Sequence, residues 1–147
     1  MKVIIVGGGK VGKTIIESML KEKHEIVLID NDPKVVRNVS NLYDVMGICA
    51  NGTEYEKLLE AGADKADLFI AVTGSDELNM LSCFAAKKIG ASHTVARVRN
   101  SEYNTASWGF MKQQLEISMA VNPEKLSAEA IYDLLKLPSA TKVETFT

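Results

Sequence analysis

A glycine-rich turn between a β-branched run and an amphipathic stretch constrains this chain more than any other feature. Val3-Ile4-Ile5-Val6 leads directly into Gly7-Gly8-Gly9-Lys10-Val11-Gly12. Gly7, Gly9 and Gly12 fit G-x-G-x-x-G, the turn that joins the first strand of a dinucleotide-binding unit to its first helix. In that setting Gly7 allows the tight turn, Gly9 lets a pyrophosphate approach the backbone, and Gly12 lets helix and strand pack closely. The helix start then offers unpaired N–H groups and the positive end of its dipole to phosphates. Asp30 follows Gly12 by eighteen residues and closes a second apolar run. A carboxylate there accepts hydrogen bonds from the adenosine ribose hydroxyls. Asn31, next in sequence, brings no arginine against a 2′-phosphate, so NAD(H) is favoured over NADP(H); Lys34 and Arg37 weaken that preference.

The same stretch also matches a Walker A loop, Gly7-x-x-x-x-Gly12-Lys13-Thr14, and Ile26-Val27-Leu28-Ile29-Asp30 resembles a Walker B strand. A P-loop NTPase sets its threonine on magnesium and its lysine on the β- and γ-phosphates. Asp30 instead stands where a ribose ligand belongs, and no later Asp, Gln or Arg set resembles hydrolytic machinery. The dinucleotide reading is preferred, with an unliganded tight turn as the bland alternative.

With 147 residues, 46% hydrophobic and 24% charged, the chain suits one globular domain able to bury a core without staples. A net charge of −2 and a pI near 5.7 give no sign of a surface built for nucleic-acid phosphates. Cys49 and Cys83 lack a neighbouring Cys or His at ligand spacing, which argues for a reducing cytosol and against a metal. No run approaches the ~18 apolar residues of a membrane span. The expectation is a cytoplasmic protein whose membrane role, if any, comes through a partner.

Strand-like runs at Lys2–Val6, Glu25–Asp30, Asp44–Ile48, Asp67–Val72, His93–Val98 and Leu115–Met119 alternate with helical patterns. The helices are expected at Lys10–Lys21, 33–40, Thr53–Leu59, Asp76–Ile89, Ser101–Ala106 and Glu124–Leu135. The first, second and fourth strands read as continuous apolar runs, as parallel strands covered on both faces require. The expected fold is a doubly wound α/β Rossmann fold: six parallel strands in the order 3-2-1-4-5-6, with helices on both faces.

Ligands of such sheets lie beyond the carboxyl ends of the strands. Ala50-Asn51-Gly52-Thr53 follows the third strand, either reaching an adenine or forming a turn in which Thr53 caps a helix. Thr73-Gly74-Ser75-Asp76-Glu77 follows the fourth. Thr73 and Gly74 there face the second half of a dinucleotide, while Ser75 or Asp76 caps the helix. On the fifth strand Arg97 and Arg99 share a face, and Arg97 is the candidate phosphate or ribose contact, with a surface salt bridge as the alternative. Cys83 reads as a small core residue rather than a nucleophile. His24 and His93 have no partner that would make a base, and solvated roles fit them better. Trp108, Phe110 and Met111 fit either core or an interface edge. The sheet uses up the chain and leaves no room for a substrate domain with its acid/base. A nucleotide-binding module without catalytic residues is therefore expected, with an NAD-dependent oxidoreductase fragment or an ATP-binding P-loop protein as alternatives.

Four segments together carry a family resemblance: Val6-Gly7-Gly8-Gly9-Lys10-Val11-Gly12, Thr73-Gly74-Ser75-Asp76-Glu77-Leu78-Asn79-Met80, Ala96-Arg97-Val98-Arg99-Asn100-Ser101-Glu102-Tyr103 and Val121-Asn122-Pro123-Glu124. Over nearly its whole length the chain resembles the nucleotide-binding RCK/KTN domain of TrkA/KtrA-type potassium-uptake proteins. The resemblance implies cofactor contacts at Gly7, Gly8, Gly9, Lys10, Val11, Asp30, Thr73, Gly74, Arg97 and Asn51. Gly12, Asn31, Gly52 and Ser75 complete the candidate set. It implies NAD(H) as ligand, with ATP or ADP as the other candidates. Lys10 stands where many relatives carry Arg, which weakens a γ-phosphate contact and hence a preference for ATP. It further implies a homo-oligomer, a dimer building a tetramer or octameric ring, beneath a Trk- or Ktr-type membrane potassium channel that nucleotide binding gates. On this basis residues 1–122 form the nucleotide-binding domain and 123–137 a helix that crosses to a neighbouring subunit. Residues 138–147 then lead toward an absent C-terminal regulatory domain.

Overall fold

The computed structural model describes residues 1–99 and 105–121. Six strands, β1 (Lys2–Val6), β2 (Glu25–Asp30), β3 (Met46–Cys49), β4 (Leu68–Ala71), β5 (His93–Arg97) and β6 (Met119–Val121), form one sheet in the order β3-β2-β1-β4-β5-β6. Every neighbouring pair is parallel. The intervening helices are α1 (Lys10–Met19), α2 (Pro33–Leu42), α3 (Tyr55–Ala61), α4 (Asp76–Ile89) and α5 (Thr105–Leu115), with a 3-10 turn at Ala63–Lys65. This is the expected fold and strand order.

Alternate side chains of each strand feed two cores, one on each face of the sheet. Ile4, Val27, Ile29, Phe69 and Ala96 pack with Leu58 of α3 and Met80, Cys83 and Ala86 of α4. Val3, Ile5, Leu28, Ile70 and Val95 pack with Ile15, Ile16 and Met19 of α1 and Val39 of α2. The central strand β1 is consequently buried from Val3 to Val6. The continuous apolar runs follow from this double cover. The crossover changes side between α2 and α4, so the carboxyl ends of β1 and β4 part there and a crevice opens.

The last third departs from the expected pattern. A single helix occupies 105–115, where a short helix and the start of a strand were expected, and β6 begins at Met119 rather than Leu115. Glu116, with φ 55°, ends that helix in the left-handed region. Ser118 then docks on the sheet edge, its N–H donating to Thr94 O at 3.0 Å and its Oγ accepting from Thr94 N at 3.1 Å. One backbone and one side-chain bond thus fix the register, and hydrophobic spacing does not encode them. At β3 the strand starts two residues later than expected, because Val45 N–H turns back to Tyr43 O. Helix α3 starts at Tyr55 rather than Thr53, α2 runs on to Leu42, and α1 stops at Met19. Strand β4 lacks Asp67 and Val72, and β5 stops before Val98. The start of the helix expected at Ser101, the expected helix at 124–135 and the tail from 138 lie outside the described residues.

Candidate functional site

A cleft of about 580 Å³ opens over the carboxyl ends of β1, β2 and β4. Of the candidate residues, Gly7, Gly9, Lys10, Val11, Asp30, Asn31, Asn51, Gly52, Thr73, Gly74, Ser75 and Arg97 line it. Gly8 and Gly12 do not. Each is packed closely within the loop. A Cβ on Gly8 would stand 2.7 Å from Val35 Cγ1, and one on Gly12 would stand 1.9 Å from Gly7 O. Gly7 itself, at φ 109°, adopts a conformation that side chains resist, and its N–H donates to Ile29 O at 2.9 Å. The turn is thus fastened to the end of β2.

Helix α1 has Gly9 at its N-cap, with no side-chain cap and no acidic residue in its first turn. A Cβ at Gly9 would meet no protein atom within 4 Å. The uncapped N–H groups and the positive dipole end therefore face open space at the rim of the cleft, an arrangement suited to an anion. Across the cleft floor, Asp30 Oδ2 accepts from Gly8 N–H at 2.8 Å and Oδ1 accepts from Asp32 N–H at 2.9 Å. The carboxylate ties the glycine turn to the start of α2, and each oxygen keeps lone-pair capacity toward the cleft.

Asn51 spends its side chain on its own turn: Oδ1 accepts from Thr53 N–H at 3.0 Å and from Thr53 Oγ1 at 2.8 Å. Thr53 does not cap α3; the capping position belongs to Glu54, whose Oε2 accepts from Asn51 N–H at 2.6 Å. A Cβ on Gly52 would stand 2.6 Å from Val6 Cγ1, so the turn lies directly on the end of β1. Ser75 caps α4 by accepting from Leu78 N–H at 3.2 Å.

Arg97 lies in the cleft wall, and its Nη1 donates to Thr73 O at 3.1 Å. Its Nε is buried with no hydrogen-bond partner among the described residues. Burial and then the nearby Arg99 push this guanidinium below its usual range, while Asp76 opposes them. A cationic group with an unused buried donor gains from an anionic neighbour. Arg99 parts company with it: the strand ends at Arg97, and Arg99 N–H donates to Asp76 Oδ2 at 3.0 Å beside a separate shallow polar pocket.

The P-loop alternative does not survive this geometry. Thr14 Oγ1 donates back along the helix to Lys10 O at 2.9 Å, and neither Lys13 nor Thr14 lines the cleft. Among the described residues no group of three or more His, Cys, Asp or Glu could hold a metal ion. Cys83 is fully buried with its thiol donating to Val95 O at 3.4 Å, and burial pushes its pKa far up. Cys49 is exposed. A thiol reagent such as Ellman's is therefore expected to titrate one cysteine in the native protein and a second only after denaturation, since the thiolate is the reacting form. Rapid titration of both would place Cys83 outside the core. His24 is covered rather than solvated, at 9% side-chain exposure, between the Met1 amino group and Glu22. Neither His24 nor His93 lines the cleft.

A family model described as TrkA-N domain matches residues 3–123. The chain belongs to the TrkA-N domain family. This TrkA-N domain is 33% identical to the Trk system potassium uptake protein TrkA homolog of Methanothermobacter thermautotrophicus, over 94% of this chain and 62% of that protein. It spans about a third of the length of other curated TrkA proteins. Among solved structures it resembles the TrkA-N domain of the inner membrane protein ybaL from Escherichia coli. The TM-score is 0.73 at 18% identity, over 91% of this chain and 96% of that one. It also resembles the GsuK channel bound to NAD, with a TM-score of 0.69 at 15% identity, over 82% of this chain and 21% of that one. At these identities the structural likeness speaks for the fold.

Sequence reasoning missed part of the TrkA-N domain's cleft. Val6, Ile29, Val72, Val35 and Leu78 supply apolar wall beside the named polar groups. The first three stand within one residue of the end of their strands, so their signal was the strand boundary itself. Asn79 was missed as well, although it lies within a quoted segment. It is fully buried, four residues before Cys83 and seven before Ala86 on the stripe of α4 that faces the core. A polar residue on such a stripe needs partners, and Asn79 has four. Oδ1 accepts from Thr73 N–H at 2.9 Å and Thr73 Oγ1 at 2.6 Å, while Nδ2 donates to Thr73 O at 3.2 Å and Arg97 O at 2.9 Å.

Proposed function

We propose that this chain is the nucleotide-sensing unit of a Trk-type potassium uptake system: it binds NAD(H) in the cleft without turning it over, and occupancy gates a membrane channel partner. The observation that carries the reading is the order of groups along the carboxyl ends of the strands lining one cleft: Asp30 on β2, the uncapped start of α1 after β1, and Arg97 on β5. A carboxylate for the ribose, the positive end of a helix for the diphosphate and a cationic side chain beyond it follow the order of groups along a dinucleotide. The names of the curated relatives support potassium uptake, and the NAD-bound neighbour supports a dinucleotide. In this reading the adenosine lies toward Asp30, Asn31, Asn51 and Gly52, and the diphosphate meets Gly7 to Val11. The second half then runs past Thr73, Gly74 and Ser75 to Arg97.

The domain division belongs to the same proposal: a nucleotide-binding unit to residue 122, a crossover helix over 123–137 and a linker over 138–147. The family match ending at 123 supports the first boundary. The chain works as a homo-oligomer on the cytoplasmic face, beneath its channel. Nucleotides shift the hinge angle between paired domains only as far as their affinities for the two states differ; a tenfold difference supplies about 1.4 kcal/mol. The described residues contain no helix long and apolar enough to cross a membrane.

Calorimetric titration with NADH, NAD⁺, ATP and ADP, with and without magnesium, tests the reading. Expected is NADH or NAD⁺ binding that needs no magnesium and leaves the ligand unchanged. Lys13→Ala should leave that affinity within about twofold, because this side chain is a solvated first-turn group rather than a phosphate ligand. Magnesium-dependent conversion of ATP to ADP, or loss of binding in Lys13→Ala, would overturn it.

A further inference from the structure

The four hydrogen bonds of Asn79 join two segments that no backbone ladder joins at that point. Strand β4 ends at Ala71 and β5 at Arg97, and their paired register stops at Ala71 with Ala96. Beyond it the chains diverge, Thr73 toward α4 and Arg97 toward the next loop. Asn79 fills the fork: one amide oxygen takes both the N–H and the hydroxyl of Thr73, and one amide nitrogen donates to the carbonyls of Thr73 and Arg97. The Thr73 carbonyl also receives Arg97 Nη1. The Thr73 hydroxyl, which accepts from Ser75 N–H at 3.2 Å as well, is therefore committed within the protein. The placement of the Arg97 guanidinium depends on a carbonyl that Asn79 fixes.

We infer that Asn79, buried beneath the cleft, is a positioning residue that sets the Thr73–Arg97 wall and thereby selects dinucleotides over mononucleotides. The inference rests on the reading of the cleft given above. AMP reaches Asp30 and the glycine turn, on the side away from Asn79, whereas the second half of NADH must pass Thr73 and Arg97. A side chain that holds only that wall acts on the ratio of the two affinities, not on both together. A buried polar network of this kind imposes one geometry when every member is paired, and loses it when a donor is replaced by an acceptor.

The test uses the full chain, with NADH and AMP as probes in calorimetry and unfolding followed by circular dichroism. Asn79→Asp keeps the shape but sets a carboxylate against two carbonyls and draws the Arg97 guanidinium toward itself. The expected result is a tenfold or greater fall in the NADH-to-AMP affinity ratio, with AMP affinity held within about twofold. Asn79→Ser retains one hydroxyl donor and should lower the ratio less. It decides the matter if Asn79→Asp lacks a cooperative unfolding transition. A folded variant with an unchanged ratio, or with both affinities falling in parallel, overturns the inference while the cleft reading stands. Failure of the unaltered chain to bind either nucleotide overturns both.

Discussion

Gly12→Ala is expected to cost about 3–5 kcal/mol of folding stability, although the substitution lies in a helix where alanine is the better residue by about 1 kcal/mol. The opposition of the two effects makes the test sharp. Gly12 is the third residue of α1, and a Cβ built on it would stand 1.9 Å from the carbonyl oxygen of Gly7 and 3.0 Å from its carbon. The oxygen has no cheap way to retreat. Gly7 is held at φ 109° with its N–H on Ile29 O, and a Cβ built on it would stand 3.0 Å from the Val72 backbone. Relief must come from α1 lifting off the sheet, which loosens Ile15, Ile16 and Met19 in the core. For a domain of this size the midpoint of thermal unfolding should fall by about 10 °C or more. Gly9→Ala is the control: with no atom within 4 Å of the new Cβ, it should change stability by no more than about 1 kcal/mol. A Gly12→Ala protein as stable as the parent would mean that helix and turn do not pack as closely as the geometry requires.

The same loop shows how far the sequence could be read and where physical information ran out. The strand–turn–helix grammar is local: β-branched runs, a glycine turn and an acid at the end of the second strand together specify sheet order and the end of the sheet that carries the cleft. Roles within the loop depend on what stands opposite each residue, and spacing does not contain that. Gly8 has no room for a side chain because Val35 of α2, some 27 positions away, stands against it. Asn51 was legible as a cleft residue or as a turn residue, and it is both: it lines the cleft while its Oδ1 holds Thr53 in the turn. Asn79 could have been suspected as a polar interruption of the buried stripe of α4, but its partners Thr73 and Arg97 come from two different strand ends. The misplaced sixth strand has the same origin. Leu115 and Ile117 are apolar enough for either element, and the choice falls to Glu116 in the left-handed region and to the Ser118–Thr94 bonds.

Asp30→Ala is expected to weaken NADH binding by about 10- to 100-fold, corresponding to the 1.5–3 kcal/mol of a charge-assisted hydrogen bond. The loss has two sources that differ in kind. The ribose loses its acceptor directly, and the glycine turn loses the brace that Oδ2 provides at Gly8 N–H. Asp30→Asn separates them less well than it would at an ordinary carboxylate. Both oxygens accept from backbone N–H groups, at Gly8 and at Asp32, so an amide would turn its NH₂ against one of two donors. Asparagine should therefore behave nearly as badly as alanine in binding, and this equivalence is the more telling result. A carboxylate that served the ribose alone would tolerate the amide, since a single oxygen acceptor would remain. Unfolding curves should show only a modest loss for both variants, about 1–2 kcal/mol, because the brace lies at the rim of the fold rather than in either core. If calorimetry finds Asp30→Asn close to the parent and Asp30→Ala impaired, the brace is dispensable and the ribose contact alone accounts for the affinity. If both retain full NADH affinity, the adenosine does not lie over β2, and the ligand must enter the cleft from the Arg97 side.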